Sequence, residues 1–132
     1  MFKGNITTAT AVTADTNIPF VVIWNTNGNT RYNTQNNSIE IVNPGYYNVS
    51  VLLNVTGSAN ATIGAQLFAD DVAIAETLAE TTITATTGLA NIEIVDTIRV
   101  RPNETFNFAD LSVQLDGAAT ITNAVITVEK VR

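Results

Sequence analysis

The 132-residue sequence contains no cysteine and no histidine. Without cysteine, neither disulfides nor thiolate metal sites can form. Without histidine, the chain lacks the commonest general base and the commonest transition-metal ligand. Its four serines stand in undistinguished settings, and no spacing selects a catalytic pair among its twelve acidic residues. We therefore expect a protein that is not an enzyme and that carries no cofactor.

Basic residues and long apolar runs are also scarce. Six basic residues are scattered along a chain of formal net charge −6, and such a negative field repels nucleic acid. The longest apolar stretch, IPFVVIW at residues 18–24, is far too short to span a bilayer. The first residues have no sustained apolar run, so no secretory signal is predicted. These features predict a soluble protein without nucleic-acid or membrane partners.

Residues branched at Cβ are abundant instead. The sequence has 14 Val, 13 Ile and 21 Thr, together 48 of its 132 residues. Such side chains lose freedom in helices and pack well on a pleated sheet. Asn, with 16 copies, favours turns. The composition predicts one all-β domain spanning residues 1–132.

Alternating apolar and polar residues at short, regular spacing predict about ten antiparallel strands. Asn27-Gly28 is a strong signal for a two-residue hairpin inside the polar region 25–37. The segment 72–87 is ambiguous because Ala, Glu and Leu suit a helix, whereas its Thr-rich second half favours a strand, and we predict mainly strand. The predicted strands are 6–14, 18–26, 38–42, 46–56, 62–69, 72–87, 91–100, 105–115 and 120–132.

The longest predicted strand follows the turn dipeptide Pro44-Gly45. Its apolar side chains share one face, and Leu52 interrupts the polar opposite face. Such a strand suits a sheet whose one face packs on the partner sheet and whose opposite face packs on a neighbouring subunit. Whether Tyr46 and Tyr47 face the core or a subunit axis stays open. The residues predicted to pack in the core or at a subunit interface are Tyr47, Val49, Val51, Leu53, Val55 and Trp24.

Residues 32–49, YN…SIEIVNPGYYNV, resemble the complement-globular-head and tumour-necrosis-factor-like jelly rolls. In that superfamily an aromatic residue precedes a short strand, and a G-x-Y opens the long central strand. The matching positions here are Tyr32, Ile39, Ile41, Gly45 and Tyr47. The closing AVITVEKVR, residues 124–132, is similar to the last strand of the C-terminal domain of collagen-like spore-surface glycoproteins.

The resemblance implies a ten-stranded antiparallel jelly-roll sandwich that forms a homotrimer, with one sheet of each protomer facing the threefold axis. Because no collagen-like Gly-x-y stalk precedes the domain in this sequence, we favour a phage-borne member. The predicted function is a structural protein that decorates a bacteriophage capsid, made in the bacterial cytoplasm and located on the virion surface. Its predicted partners are further copies of itself and a major capsid protein.

Two other functions stay open. A glycan- or receptor-binding fibre head would expose aromatic rings such as Trp24, Tyr32 or Tyr46 around a groove. A spore-surface head domain is the second alternative.

Two pairs of charged residues are candidate sites for a metal ion or an assembly contact. Asp70 and Asp71 form a turn that, with Glu76 or Asp110 nearby, offers oxygen ligands for Ca²⁺, although adjacent acidic residues at a turn are usually only solvated. Arg99 and Arg101 flank Val100 and could hold an acidic neighbour at an assembly contact.

Overall fold

The computed structural model describes residues 1–26, 28–58, 60–84, 88–100 and 109–131. Within these ranges the chain is all-β, as the composition predicts, with one short 3₁₀ helix, Ala75–Thr77. The prediction of ten strands is wrong, since twelve are present in the described ranges. The strands are β1 Phe2–Ile6, β2 Thr10–Val12, β3 Val21–Asn25, β4 Thr30–Asn33, β5 Ser38–Ile41, β6 Gly45–Thr56, β7 Thr62–Ala69, β8 Val72–Ala73, β9 Ala79–Thr82, β10 Ala90–Val100, β11 Ala109–Leu115 and β12 Ala119–Lys130.

The strands form two antiparallel sheets of six. The first sheet has the order β10-β6-β12-β1-β3, with β2 also paired to β12. The second has the order β4-β5-β11-β7-β8, with β9 also paired to β7. The longest strand, β6, lies between β10 and β12 and pairs with both along most of its length. The strand opened by the Pro44-Gly45 turn is thus central to the first sheet.

Two of the additional strands, β1 and β4, lie mainly or wholly outside the predicted strands. The predicted strand 6–14 is divided, because β1 begins at Phe2 and ends at Ile6, and β2 resumes at Thr10. Both pair with β12, at different positions along it. The polar region 25–37, predicted as turn, contains the short strand β4.

The strands on either side of the predicted Asn27-Gly28 hairpin do not pair with each other. Asn27 lies outside the described residues, and Gly28 has a positive φ of 66°, as a tight turn requires. The strands on either side, β3 and β4, belong to different sheets. Asn25 and Thr30 join them, since the Asn25 amide donates to the Thr30 carbonyl and the Thr30 hydroxyl donates to Asn25 Oδ1, each at 2.7 Å. The turn therefore carries the chain from one sheet to the other.

The ambiguous segment 72–87 combines both structures that its composition suggests. It contains β8, the 3₁₀ helix and β9, and residues 85–87 lie outside the described residues. Similarly, only the second part of the predicted strand 105–115 is described, as β11.

One hydrophobic core fills the space between the sheets. It is built from the inward side chains of both, with Tyr47, Phe2 and Ile18 among the largest that are fully buried. The rings of Phe2 and Tyr32 stack with centroids 5.8 Å apart. Among the described residues, no helix is long and apolar enough to cross a membrane.

Candidate functional site

The apolar face of β6 packs inside the chain. Tyr47, Val49, Val51, Leu53 and Val55 are each at most 1% exposed. The Tyr47 hydroxyl donates a 2.6 Å hydrogen bond to the Asn43 carbonyl, and burial raises the pKa of this hydroxyl above its ordinary value of 10.0. The structure thus places these five side chains in the core, so they are not available to a neighbouring subunit.

The opposite face of the first sheet is open, and we call it the assembly face. On β6 it carries Tyr46, Asn48, Ser50 and Leu52, which alternate with the buried residues. Strand pairing places Glu93 and Val125 on either side of Leu52. The outward residues of the other strands complete it: Val95, Thr97 and Arg99 of β10, Thr127 and Glu129 of β12, Lys3 and Asn5 of β1, and Val21 and Trp24 of β3.

Several apolar side chains on the assembly face meet solvent in the single chain. Val95 is 70% exposed, Trp24 45% and Leu52 42%. Small polar side chains separate these apolar ones. Across the paired strands, for example, Ser50 and Thr127 lie between Val95 of β10 and Lys3 of β1. The face is therefore flat and mixed, with apolar side chains that gain free energy if another surface covers them.

Two cations lie over aromatic rings at this face. Lys3 Nζ lies 4.9 Å from the centroid of the Trp24 ring, and Arg99 Cζ lies 5.8 Å from that of Tyr46. These are cation–π distances. Arg99 is thus on the assembly face, as its predicted role in assembly requires, whereas Arg101 lies outside the described residues.

Trp24 is not part of the core of the chain. All five residues of β3 are exposed, because β3 is the outermost strand of the first sheet and pairs only with β1 among the described strands. The alternative of a core Trp24 is therefore wrong for the single chain, and a role at a subunit interface stays a prediction.

Polar side chains on the assembly face bond to one another across the strands. The Thr97 hydroxyl donates to Asn48 Oδ1 at 2.6 Å, and the Asn54 amide donates to Asn123 Oδ1. A shallow depression of about 450 Å³ lies beside the first pair and is lined by Ser50, Val95 and Glu129, among others. The arrangement suits contact with another protein surface better than enclosure of a small molecule.

The three aromatic rings of the glycan hypothesis do not meet. Tyr32 stacks on Phe2 in the interior, and its hydroxyl accepts a 3.0 Å hydrogen bond from the Phe20 N–H. Burial raises the pKa of Tyr32, and the Phe20 N–H opposes that shift. Tyr46 and Trp24 lie three strands apart and about four residues apart along the strands, a separation of roughly 20 Å. These rings therefore do not form one sugar-stacking groove.

Asp70 and Asp71 lie at the turn between β7 and β8, on the second sheet. The Asp70 carboxylate accepts a 3.0 Å hydrogen bond from the Asp110 N–H, and the Asp70 N–H donates to the Asp110 carbonyl at 3.0 Å. Asp71 and Asp110 line the same pocket, and Glu76 is not among its lining residues. Among the described residues, no group of three or more Asp, Glu, His or Cys side chains is placed so that it could hold a metal ion.

Val95 and Val21 of the assembly face are not among the residues predicted above from the sequence. Val95 stands at an outward position of β10, among the otherwise polar Asn91, Glu93, Thr97 and Arg99. The same interruption drew attention to Leu52 on β6, so the signal was available. Val21 could not be assigned, because a run that is apolar at every position has no alternation to read.

Comparison with known proteins gives matches in structure but none in sequence. No family model matches the chain, and no curated protein sequence matches it. Eiger TNF from S. frugiperda superposes with a TM-score of 0.77 at 12% identity, covering 99% of this chain and 93% of that one. Murine APRIL at pH 5.0 gives 0.69 at 8% identity, covering 97% and 98%. PRD1 vertex protein P5 gives 0.62 at 12% identity, covering 99% and 96%.

The chain has a tumour-necrosis-factor-like jelly-roll fold. This confirms the fold that residues 32–49 suggested. At identities of 8–12%, the similarity concerns the fold alone. No sequence match supports the nearer resemblance to collagen-like spore-surface glycoproteins.

Proposed function

We propose that the chain is a non-enzymatic structural protein that forms a homotrimer and decorates the surface of a bacteriophage capsid. The observation that carries the proposal is the assembly face, a nearly flat sheet surface whose exposed apolar side chains include Val95, Trp24 and Leu52. The fold is shared with a protein named for its place at a vertex, PRD1 vertex protein P5.

The assembly face is large enough for a stable contact. Five strands spaced about 4.8 Å apart, with about nine residues each, cover roughly 700 Å². A standard protein–protein interface buries about 800 Å² on each partner. A neighbouring subunit packed against this face would cover most of its exposed apolar side chains.

The charge distribution supports a protein that coats a particle. The chain has a net charge of −6, and a surface of one predominant sign keeps covered particles from associating. In this proposal the assembly face packs between subunits, another surface of the trimer contacts the major capsid protein, and the protein is located on the virion.

Light scattering tests the trimer. Three chains of 14.1 kDa give about 42 kDa. We expect that mass for the wild type and a mass of about 14 kDa for Leu52→Glu, because a carboxylate cannot be desolvated at an apolar contact without several kcal/mol of cost. Val72→Glu is the matched control: Val72 is 68% exposed on β8 of the second sheet, and this variant should remain trimeric. A wild-type protein that is monomeric at micromolar concentration would refute the trimer.

Imaging of the particle tests the second half of the proposal. Electron microscopy of virions that contain the protein should locate threefold-symmetric density on the capsid exterior. Density that places the chain at the tip of a fibre would favour the alternative of a receptor-binding head, which the tumour-necrosis-factor-like fold also accommodates. Finding the protein on spores rather than virions would favour a spore-surface head domain.

A further inference from the structure

A polar pocket of about 240 Å³ lies on the outer face of the second sheet, away from the assembly face. The described residues that line it provide two carboxylates, two hydroxyls and two carboxamides. They are Asp71, Asp110, Ser38, Ser112, Asn17 and Asn36.

The strands fix the floor of this pocket. Ile39 of β5 pairs with Leu111 of β11, so Ser38 and Ser112 follow on adjacent strands. Because Ile39 and Leu111 point into the core, both serines point to the opposite, outer face. Asp110 lies two residues from Ser112 along β11 and therefore shares that face.

Hydrogen bonds hold the walls of the pocket. The two bonds between Asp70 and Asp110, each 3.0 Å, hold the turn that carries Asp71 against β11. On the other side, Asn17 Oδ1 accepts from Gln114 Nε2 at 2.9 Å, and Asn17 Nδ2 donates to the Asn36 carbonyl at 2.8 Å. These bonds hold the Asn17 side chain and the turn that carries Asp71 in place at the two sides of the pocket.

One group in the pocket has an unmet hydrogen-bonding requirement. Ser38 is only 3% exposed, and its hydroxyl has no hydrogen-bond partner in the part of the chain that the structure describes. Leaving a buried hydroxyl unpaired is unfavourable. A ligand in the pocket that the Ser38 hydroxyl oxygen can coordinate would reduce this unfavourable free energy.

We infer that this pocket binds a divalent cation, Ca²⁺. Two carboxylates match the double positive charge, and they disfavour an anionic ligand. Ca²⁺ takes six to eight oxygen ligands of mixed type in flexible geometry, and carboxylate, hydroxyl, amide and water oxygens together can supply them. Mg²⁺ requires a near-ideal octahedron, which a set of unlike side chains on two strands and three loops does not offer. The inference is independent of trimer formation.

Calorimetric titration of the EDTA-treated, dialysed protein with CaCl₂ tests the site. With only two carboxylates, we expect one Ca²⁺ per chain with a Kd of about 0.1–1 mM. Asp71→Asn and Ser38→Ala should each weaken binding at least about tenfold, as the loss of groups that hold or orient a metal does. Glu76→Gln, which removes an exposed charge outside the pocket, should bind as the wild type does.

Thermal unfolding provides a second measurement. Ca²⁺ should raise the Tm of the wild type, whereas MgCl₂ and NaCl at matched ionic strength should raise it much less. Ser38→Ala should keep the Ca²⁺-free Tm, because it removes only an unpaired hydroxyl, yet lose the increase with Ca²⁺. The inference is overturned if Ca²⁺ gives neither heat nor a Tm increase beyond that of NaCl. It is also overturned if both pocket variants bind Ca²⁺ like the wild type, or if a neutral sugar binds the pocket and Ca²⁺ does not.

Discussion

Thr77 lies where the second sheet changes partners, and replacing it tests how that sheet is held together. Strand β7 pairs with β9 at residues 62–65 and with β8 at residues 68–69. Between these ladders, the Leu67 N–H donates to the Thr77 hydroxyl at 3.0 Å, and that hydroxyl donates to the Ile74 carbonyl at 2.7 Å. Thr77 is only 4% exposed. Its hydroxyl thus takes the place of a missing strand partner.

Thr77→Val keeps the shape of the side chain and removes both bonds. Each bond contributes about 0.5–1.5 kcal/mol, and the Leu67 N–H is left buried without a partner, so we expect a loss of about 2–3 kcal/mol in the free energy of unfolding. For a chain of this size that corresponds to a fall in Tm of roughly 7–11 °C. Thr77→Ser keeps the hydroxyl and loses one methyl group, which costs about 1 kcal/mol.

Equilibrium unfolding in urea measures both variants. The protomer concentration must be the same throughout, because association of subunits would couple stability to concentration. The valine variant should be clearly less stable than the serine variant. If the valine variant is as stable as the wild type, or more stable than the serine variant, the hydroxyl does not replace a strand partner and the argument is refuted.

Two further predictions concern the tyrosines and a glycine. Burial raises the pKa of Tyr32 and Tyr47 above 10.0, so their contribution to stability is complete below pH 10 and is lost as the pH rises through the folded-state pKa. In urea unfolding experiments, the free energy of unfolding should fall between pH 9 and 11. A double variant, Tyr32→Phe with Tyr47→Phe, should reduce this dependence on pH. If the dependence is unchanged in the double variant, these two tyrosines do not cause it. Gly64→Ala should lower stability by about 1–3 kcal/mol, because the added Cβ would lie 2.6 Å from Asp116 Oδ2 while Asp116 Oδ1 is bonded to the Gly64 N–H at 2.7 Å. Thermal unfolding of Gly64→Ala beside Gly57→Ala checks this. The Cβ added at Gly57 would lie 3.0 Å from the end of the Ile83 side chain and 3.9 Å from its next neighbours, so equal losses in the two variants would contradict the prediction.

The central strands could be predicted because one physical signal dominates them. In β6 and β10 the inward residues are apolar except for Asp96, and the outward ones are mostly polar, so period-two alternation gives both the strand and its buried face. The predicted strands 46–56 and 91–100 agree with β6 and β10 to within one residue at each end. The G-x-Y motif at Gly45 and Tyr47 also indicated the tumour-necrosis-factor-like fold, which the comparisons of structure support.

The edges of the sheets could not be predicted in the same way. Strand β3 is apolar on both faces although it is exposed, so its composition suggested burial that the single chain does not provide. The pairing of β3 and β4 with different sheets depends on long-range contacts, whereas the Asn27-Gly28 signal is purely local. The polar pocket likewise brings together residues 17, 36, 38, 71, 110 and 112, which are distant in sequence. Of these six, the sequence alone associates only Asp71 with Asp110.

The exposed strand β3 affects how the isolated chain behaves in solution. Its edge opposite β1 is unpaired among the described strands, and four consecutive side chains, Val21 to Trp24, are each at least 40% exposed. An apolar, uncharged edge strand is a template on which extended chains add and aggregate. If the chain forms the proposed trimer, a newly made chain therefore has a limited time in which to meet other copies of itself. Overproduction of the isolated chain should yield fibrillar or amorphous aggregates, and Val22→Lys should suppress them.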